Sequence, residues 1–189
     1  MKKRIAFVHN AMWEMYNFRG ELLQELKAKG YEITVICPPD EKNAHYFTDL
    51  GIKLLTVPMS RKGTNIKEDV QLVKNLFKVY KKEKFDLVFH YTIKPNIYGT
   101  LAAKLAGIKS IAITTGLGYV FLHNNITSLI AKFMYKFSLA FANEVWFLND
   151  DDMNIFLDKD LITERQAFKL PSEGINTKRF VPKEKNRKD

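Results

Sequence analysis

At 189 residues with 46% hydrophobic side chains, the chain can bury one full core and sits near the size of a single domain. Its formal charge of +9 and pI near 9.5 point to an anionic partner, which leaves nucleic acid, an acidic membrane surface and a phosphorylated small molecule in play. The single cysteine, Cys37, excludes an internal disulfide and fits a reducing cytosol, where it packs as a small hydrophobe.

The excess charge is partly local, because Lys178 to Asp189 holds six basic and two acidic residues. At the other end Lys2-Lys3-Arg4 precedes an apolar run, Ile5 to Val8, that is too short for a signal sequence and closes at His9-Asn10. A strand is predicted from Arg4 to His9, a loop over Asn10 to Asn17, and a helix from Phe18 to Lys29 that stops at Gly30. The order then repeats. A strand at Glu32 to Cys37 ends in Pro38-Pro39, a helix follows around Asn43 to Leu50, and Lys53 to Val57 is the third strand. After the loop Arg61 to Asn65, the residues Ile66, Val70, Val73, Phe77 and Tyr80 recur at helical spacing in a long crossover helix.

The central unit is Lys84 to Phe121. An apolar run, Leu87-Val88-Phe89, leads into a polar loop with His90, Lys94 and Asn96, then a small-residue helix over Gly99 to Leu105 that Gly107 terminates. A second apolar run, Ser110 to Ile113, ends in the loop Thr114 to Tyr119. Two unbroken apolar strands joined by a helix imply parallel strands covered on both faces. Ile126 to Ala142 follows as a helix whose wheel gathers Ile126, Leu129, Ile130, Phe133, Phe137, Ala140 and Phe141 on one face, with Leu139 the exception. Lys132 and Lys136 interrupt it too closely for a membrane span, and the Phe133, Phe137, Phe141 stripe is assigned to the core. A strand at Glu144 to Leu148, a helix at Asp150 to Leu157 with an acidic first turn, and a last strand at Ala167 to Leu170 complete the pattern. Beyond Pro171 the composition reads as a linker or tail.

This alternation specifies an α/β, doubly wound Rossmann-like parallel sheet. In the Rossmann order the first and fourth strands are neighbours, so the loops Asn10–Asn17 and Tyr91–Asn96 line one crevice and His9, Asn10 and His90 are expected to converge there. Several chemistries fall away. The first strand is followed by no glycine before Gly20, against a dinucleotide site, and the four histidines show no zinc spacing, so no protein-bound metal is expected. The basic residues are spread over helix faces and a tail without a nucleic-acid motif. His90 is either a general acid/base or a strand-end histidine satisfied by the protein, and Lys94 and Arg19 are either phosphate ligands or solvated cations.

Four segments in order carry a resemblance. They are Asn17-Phe18-Arg19-Gly20 with the helix ending LKAKGYEITVICP, then HYTIKPNIYGTLAAKLAGIKSIAITTGLGYVF, then EVWFLNDDD, and finally LPSEGINTKRF with Gly174-Ile175-Asn176 ahead of Phe180. Together they resemble the N-terminal Rossmann-like domain of GT-B glycosyltransferases, the family 4-like enzymes of bacterial capsule, O-antigen (lipopolysaccharide) and lipid-linked glycan assembly. The resemblance implies retaining transfer from a nucleotide-sugar, usually a UDP-sugar, to a sugar on undecaprenyl diphosphate. It implies that residues 1–170 form the acceptor-binding domain and 171–189 an interdomain linker or tail. It also implies a peripheral position on the cytoplasmic membrane, where a basic face meets anionic lipid.

Two departures qualify what is carried over. Thr115 stands where many members place a histidine, and the second, donor-binding domain with its E-x7-E glutamates is absent from this sequence. The expectation is an acceptor-binding half, inactive alone and binding no cofactor itself, that relies on a donor domain or a separate chain supplying one. The residues assigned to acceptor hydroxyls and phosphates are Asn10, Asn17, Arg19, His90, Lys94, Asn96, Thr115, Gly116, Gly118 and Tyr119. The alternatives are a non-catalytic module paired with a separate donor chain, for which an apolar patch at the crevice rim is expected, and half of a sugar-nucleotide epimerase.

Overall fold

Apolar runs flanked by helices become strands, buried on both faces at the centre of the sheet and partly exposed at its two edges: β1 (Arg4–Val8), β2 (Glu32–Cys37), β3 (Lys53–Thr56), β4 (Leu87–Tyr91), β5 (Lys109–Thr114), β6 (Glu144–Phe147) and β7 (Ala167–Lys169). In the computed structural model, which describes residues 2–60, 65–117, 121, 126–171, 173–174, 176–177 and 180–181, these strands form one sheet in the order β3-β2-β1-β4-β5-β6-β7. Every pairing is parallel. The doubly wound Rossmann-like fold expected from the sequence is the fold observed, with β1 and β4 adjacent at the switch point.

The helices are α1 (Met12–Ala28), α2 (Glu41–Asp49), α3 (Ile66–Glu83), α4 (Thr100–Ala106), α5 (Ile126–Leu139) and α6 (Asp150–Asp158), with a π-type turn over Pro95–Gly99 leading into α4. Strand alternation divides the core between the two faces of the sheet. Phe7, Val35, Tyr91 and Ile113 meet Met12, Met15 and Leu23 of α1 on one side. Val8, Ile36 and Val88 meet Leu72, Leu76 and Tyr80 of α3 on the other. Ala112, Val145 and Phe147 continue the core towards Tyr135 and Leu139 of α5 and Phe156 of α6. Gly107 closes α4 in a left-handed conformation, φ 75°, as its position after the last periodic residue predicts.

Two predicted loops are largely helix. α1 begins at Met12 rather than Phe18, because Met12, Met15, Arg19 and Leu23 form a buried stripe at helical spacing that the polar residues between them obscure. β4 runs through His90 to Tyr91, and the chain is helical again from Ile93, so the polar loop expected over His90 to Asn96 shrinks to the bend at Thr92.

The largest departure is α5, which faces the opposite way from its prediction. Ile126, Leu129, Ile130, Phe133, Phe137, Ala140 and Phe141 point to solvent, while Ser128, Tyr135, Ser138 and Leu139 are buried. Tyr135 fills the inner contact, its ring 5.7 Å from Phe121 and 5.6 Å from Phe156. The serines leave room for the helix to lie close to the Pro95–Gly99 turn, and Leu139, the exception on the wheel, is core. A wheel reveals that a helix has two faces but not which one its neighbours cover.

Gly99 sits where the turn crosses β4. A Cβ added there would lie 2.5 Å from His90 Cδ2 and 2.6 Å from Nε2. The ring cannot yield without breaking its buried hydrogen bonds, so Gly99→Ala is expected to cost about 1–3 kcal/mol by overpacking, read as a lower urea midpoint at unchanged slope.

Candidate functional site

Parallel sheets of this order bind ligands beyond the carboxyl ends of the strands, and that edge is built here by the ends of β1, β4 and β5. At the end of β1, His9 Nδ1 accepts a 2.9 Å hydrogen bond from the Ala11 N–H. That bond places the ring proton on Nε2, which lies 3.7 Å from the Glu14 carboxylate. His9 therefore holds the bend that starts α1, and Asn10 stands half-buried at its apex. Ala11, the N-cap of α1, is extended and offers no capping side chain, so the positive end of a 17-residue helix opens on this edge.

Arg19 crosses from α1 to β4. Its guanidinium carbon lies 4.6 Å from the Tyr91 ring centre, its terminal nitrogen pairs with the Glu173 carboxylate, and its Nε is buried without a hydrogen-bond partner among the described residues. Burial raises the Tyr91 hydroxyl well above its usual range, so Tyr91 stays protonated. The described residues after β7 return to α1, where Asn176 donates to Glu21, and a cleft of about 260 Å³ opens between Asn17, Phe18, Leu22 and Glu173. The Asn17 amide itself donates 2.9 Å to the Trp13 carbonyl.

His90 does not join this crevice. His9 and Tyr91 share the α1 face of the sheet, with ring centres 6.0 Å apart, whereas His90 is one residue out of phase and points to the α3 face. There it is fully buried, with Nε2 2.9 Å from the Tyr80 hydroxyl and Nδ1 3.3 Å from Thr100 Oγ1. Burial pushes its pKa down to about 3, so the ring is neutral near pH 7 and has no route to a substrate proton. The proposed convergence with His9 and Asn10 is thus corrected by strand alternation.

Lys94 is also internal. Its Nζ donates to Asp69 Oδ1 and Ser60 Oγ, each at 2.7 Å, and the Tyr98 hydroxyl donates to Asp69 Oδ2 at 2.8 Å. This network floors a cleft of about 200 Å³ between Met59, Leu72 and Asn75. Asn96 Nδ2 donates 3.0 Å to the Ile113 carbonyl, tying the turn to β5, while its Oδ1 is buried without a partner among the described residues. Thr115 is exposed beyond β5. Gly116 has φ 146°, and a Cβ there would meet nothing within 4 Å, so its backbone conformation rather than close approach calls for glycine. Gly118 and Tyr119 lie outside the described residues.

Asn10 and Thr115 thus follow the ends of β1 and β5 on the carboxyl edge, whereas Arg19, Lys94 and Asn96 are buried on internal partners. Tyr91 and Glu173 were missed by the sequence reading. Tyr91 could have been found as the second residue past the apolar run, on the same face as Phe89, while Glu173 lies in a stretch without periodicity and becomes a partner of Arg19 only through the fold. Among the described residues no cluster of three or more His, Cys, Asp or Glu could hold a metal ion.

The family profile described as glycosyl transferase 4-like matches residues 4–149. The chain is 32% identical over 187 residues to the N,N'-diacetylbacillosaminyl-diphospho-undecaprenol alpha-1,3-N-acetylgalactosaminyltransferase of Campylobacter jejuni, covering 95% of this chain and 48% of that protein. It is 24% identical over 153 residues to the UDP-Gal:alpha-D-GlcNAc-diphosphoundecaprenol alpha-1,3-galactosyltransferase of Escherichia coli, covering 80% and 39%. The chain thus spans about half the length, or less, of the curated relatives it matches. Among solved structures, MurG of Acinetobacter baumannii superposes with a TM-score of 0.62 at 13% identity, covering 98% of this chain and 47% of that one. A UDP-N-acetylglucosamine 2-epimerase superposes with a TM-score of 0.66 at 16% identity, covering 89% and 48%. At these identities the structural likeness speaks to fold alone. With the family profile spanning β1 through β6, the chain belongs to the glycosyl transferase 4-like family.

Proposed function

We propose that this chain is the acceptor-binding half of a retaining glycosyltransferase that moves a sugar from a nucleotide-sugar, a UDP-sugar, to a lipid-linked acceptor on undecaprenyl diphosphate. The observation that carries the reading is the family match to residues 4–149, in relatives whose names specify diphospho-undecaprenol-linked acceptors. The carboxyl-edge geometry supports it. The N-terminus of α1, which has no capping side chain, favours an anionic diphosphate, and Asn10 offers a neutral donor and acceptor to a sugar hydroxyl. Thr115 and Gly116 follow the end of β5 on the same edge of the sheet. In the transfer the acceptor oxygen bonds to the anomeric carbon as the bond to the nucleoside diphosphate breaks, and the negative charge grows on the departing diphosphate. A donor domain must stabilise that charge, so this half alone is expected to be inactive.

A second reading, a binding module that pairs with a separate donor-domain chain, is favoured by exposed apolar residues beside the crevice. Trp13, Phe18 and Leu22 of α1 are each more than two-fifths exposed, and the Trp13 and Phe18 rings meet edge to face at 6.3 Å. Both readings share the acceptor site and differ in where the donor domain is encoded.

Titration calorimetry tests the shared claim. The chain is expected to bind a short-chain polyprenyl diphosphate N-acetylhexosamine and to give no heat with UDP or UDP-N-acetylhexosamines. Asn10→Ala is expected to weaken acceptor binding roughly 3–10-fold through loss of one or two hydrogen bonds. Tight UDP binding would put the donor site on this half and overturn the assignment.

A further inference from the structure

The cleft over the Lys94 and Asp69 pair lies on the opposite side of the sheet from the N-terminus of α1. It forms where residues 57–60 leave the end of β3 and meet the first turns of α3, with Met59 and Leu72 as apolar walls and Gln71 and Asn75 beside them. Its charge disfavours an anion. Lys94 supplies one positive charge against the carboxylates of Asp69 and Glu68, and the N-terminus of α3 is already capped by Asn65, whose side chain accepts from the Lys67 N–H at 3.1 Å. Its hydrogen-bonding capacity is mixed. Of the three ammonium donors of Lys94, two go to Asp69 Oδ1 and Ser60 Oγ. Each Asp69 oxygen accepts one bond, from Lys94 or from Tyr98, and keeps a lone pair. Asn75 accepts from Gln71 at 2.8 Å and retains its own amide hydrogens. A ligand matching this set donates and accepts at neighbouring positions, as hydroxyl groups do.

We propose that this cleft binds one ring of a neutral saccharide. Its volume of about 200 Å³ is smaller than the roughly 300 Å³ at which pockets for drug-sized ligands begin, which suits a single pyranose. Met59 and Leu72 offer apolar surface to the C–H face of the ring, while Lys94, Asp69 and Asn75 take its hydroxyls. Tyr98 braces Asp69 at 2.8 Å, so the polar floor is set before the ligand arrives and little ordering cost is left to binding. β3 lies two strands from β1, about 10 Å along the carboxyl edge, so one short glycan can reach both this cleft and the N-terminus of α1. That the bound ring belongs to the acceptor glycan, beyond the sugar joined to the diphosphate, rests on the acceptor reading above, whereas the binding of a neutral sugar does not.

Nuclear magnetic resonance of side-chain amides and methionine methyls tests this with the methyl glycosides of glucose, galactose, mannose, N-acetylglucosamine and N-acetylgalactosamine, and with inorganic phosphate. At least one glycoside is expected to shift the Gln71, Asn75 and Met59 signals saturably, with a Kd of roughly 1–10 mM, and phosphate at the same concentration to shift none of them. Gln71→Trp, at an exposed position of α3, is expected to fill the cleft and weaken binding at least ~10-fold while the far-ultraviolet circular dichroism and urea midpoint stay close to those of the parent chain. Ser60→Ala is expected to weaken it roughly 3-fold, because the Lys94 ammonium loses one of the acceptors that orient it. No saturable shift from any of the glycosides would overturn the proposal, as would unchanged binding by Gln71→Trp. Phosphate moving these signals where sugars do not would overturn it in favour of an anion site at Lys94. Calorimetry with the polyprenyl diphosphate sugar keeps the two readings apart. Acceptor binding with no glycoside response removes this cleft and leaves the acceptor reading, and glycoside binding without acceptor binding does the reverse.

Discussion

Lys94→Met is expected to lower the unfolding free energy by roughly 3–5 kcal/mol, because it leaves the Asp69 carboxylate buried without its cation. Lys94 and Asp69 are each less than a tenth exposed, and the pair ties the segment before α3 to the turn before α4 through Ser60 and Tyr98. Adding Asp69→Asn in the same chain should recover at least half of the loss, since the amide can still accept from the Tyr98 hydroxyl while the isolated charge is gone. Urea unfolding of the single and double variants reads both effects. A loss below about 1 kcal/mol for Lys94→Met would mean that the ammonium is effectively solvated. It would then return to contention as a ligand for acceptor phosphate.

The second large effect is an acid dependence of stability that originates at His90. Its folded-state pKa is lowered from 6.5 to about 3 by burial. Between those values the unfolded chain binds a proton that the folded chain refuses, so the contribution is fully present above pH 6.5 and is lost as pH falls towards 3. Integrated over that window it amounts to on the order of 5 kcal/mol. Carboxylates also titrate there, so the informative quantity is the difference between wild type and His90→Gln. The variant is expected to show the shallower fall in unfolding free energy from pH 6.5 to 4, with parallel curves above pH 7. Identical slopes would show that His90 takes up a proton in the folded protein, and would reopen its candidacy as a general acid/base.

Both effects mark the same difference between linear pattern and packing. The apolar runs of β1, β2, β4 and β5 were legible because burial on both faces of a parallel sheet removes in/out alternation, and the glycines that end helices were legible because they follow the last periodic residue. The start of α1 was not, because its buried stripe includes Arg19, whose burial depends on Tyr91 and Glu173 from elsewhere in the chain. The candidate site was legible to the level of loops. Asn10 and Thr115 stand at strand ends on the carboxyl edge, but Arg19, Lys94, Asn96 and His90 carry the same polar character in the sequence and are committed to internal partners.

The sequence by itself determined the strand and helix alternation, the Rossmann-like order it implies, and the resemblance to family 4-like glycosyltransferases, all of which depend on the order and spacing of residue types along the chain. Only the tertiary structure decided that His90 points away from His9, that Lys94 answers Asp69, and that α5 buries Tyr135 and Leu139 while turning Phe133 and Phe137 outward. The reason is physical. Periodicity is a property of one segment, whereas burial and pairing belong to whatever the fold brings against it.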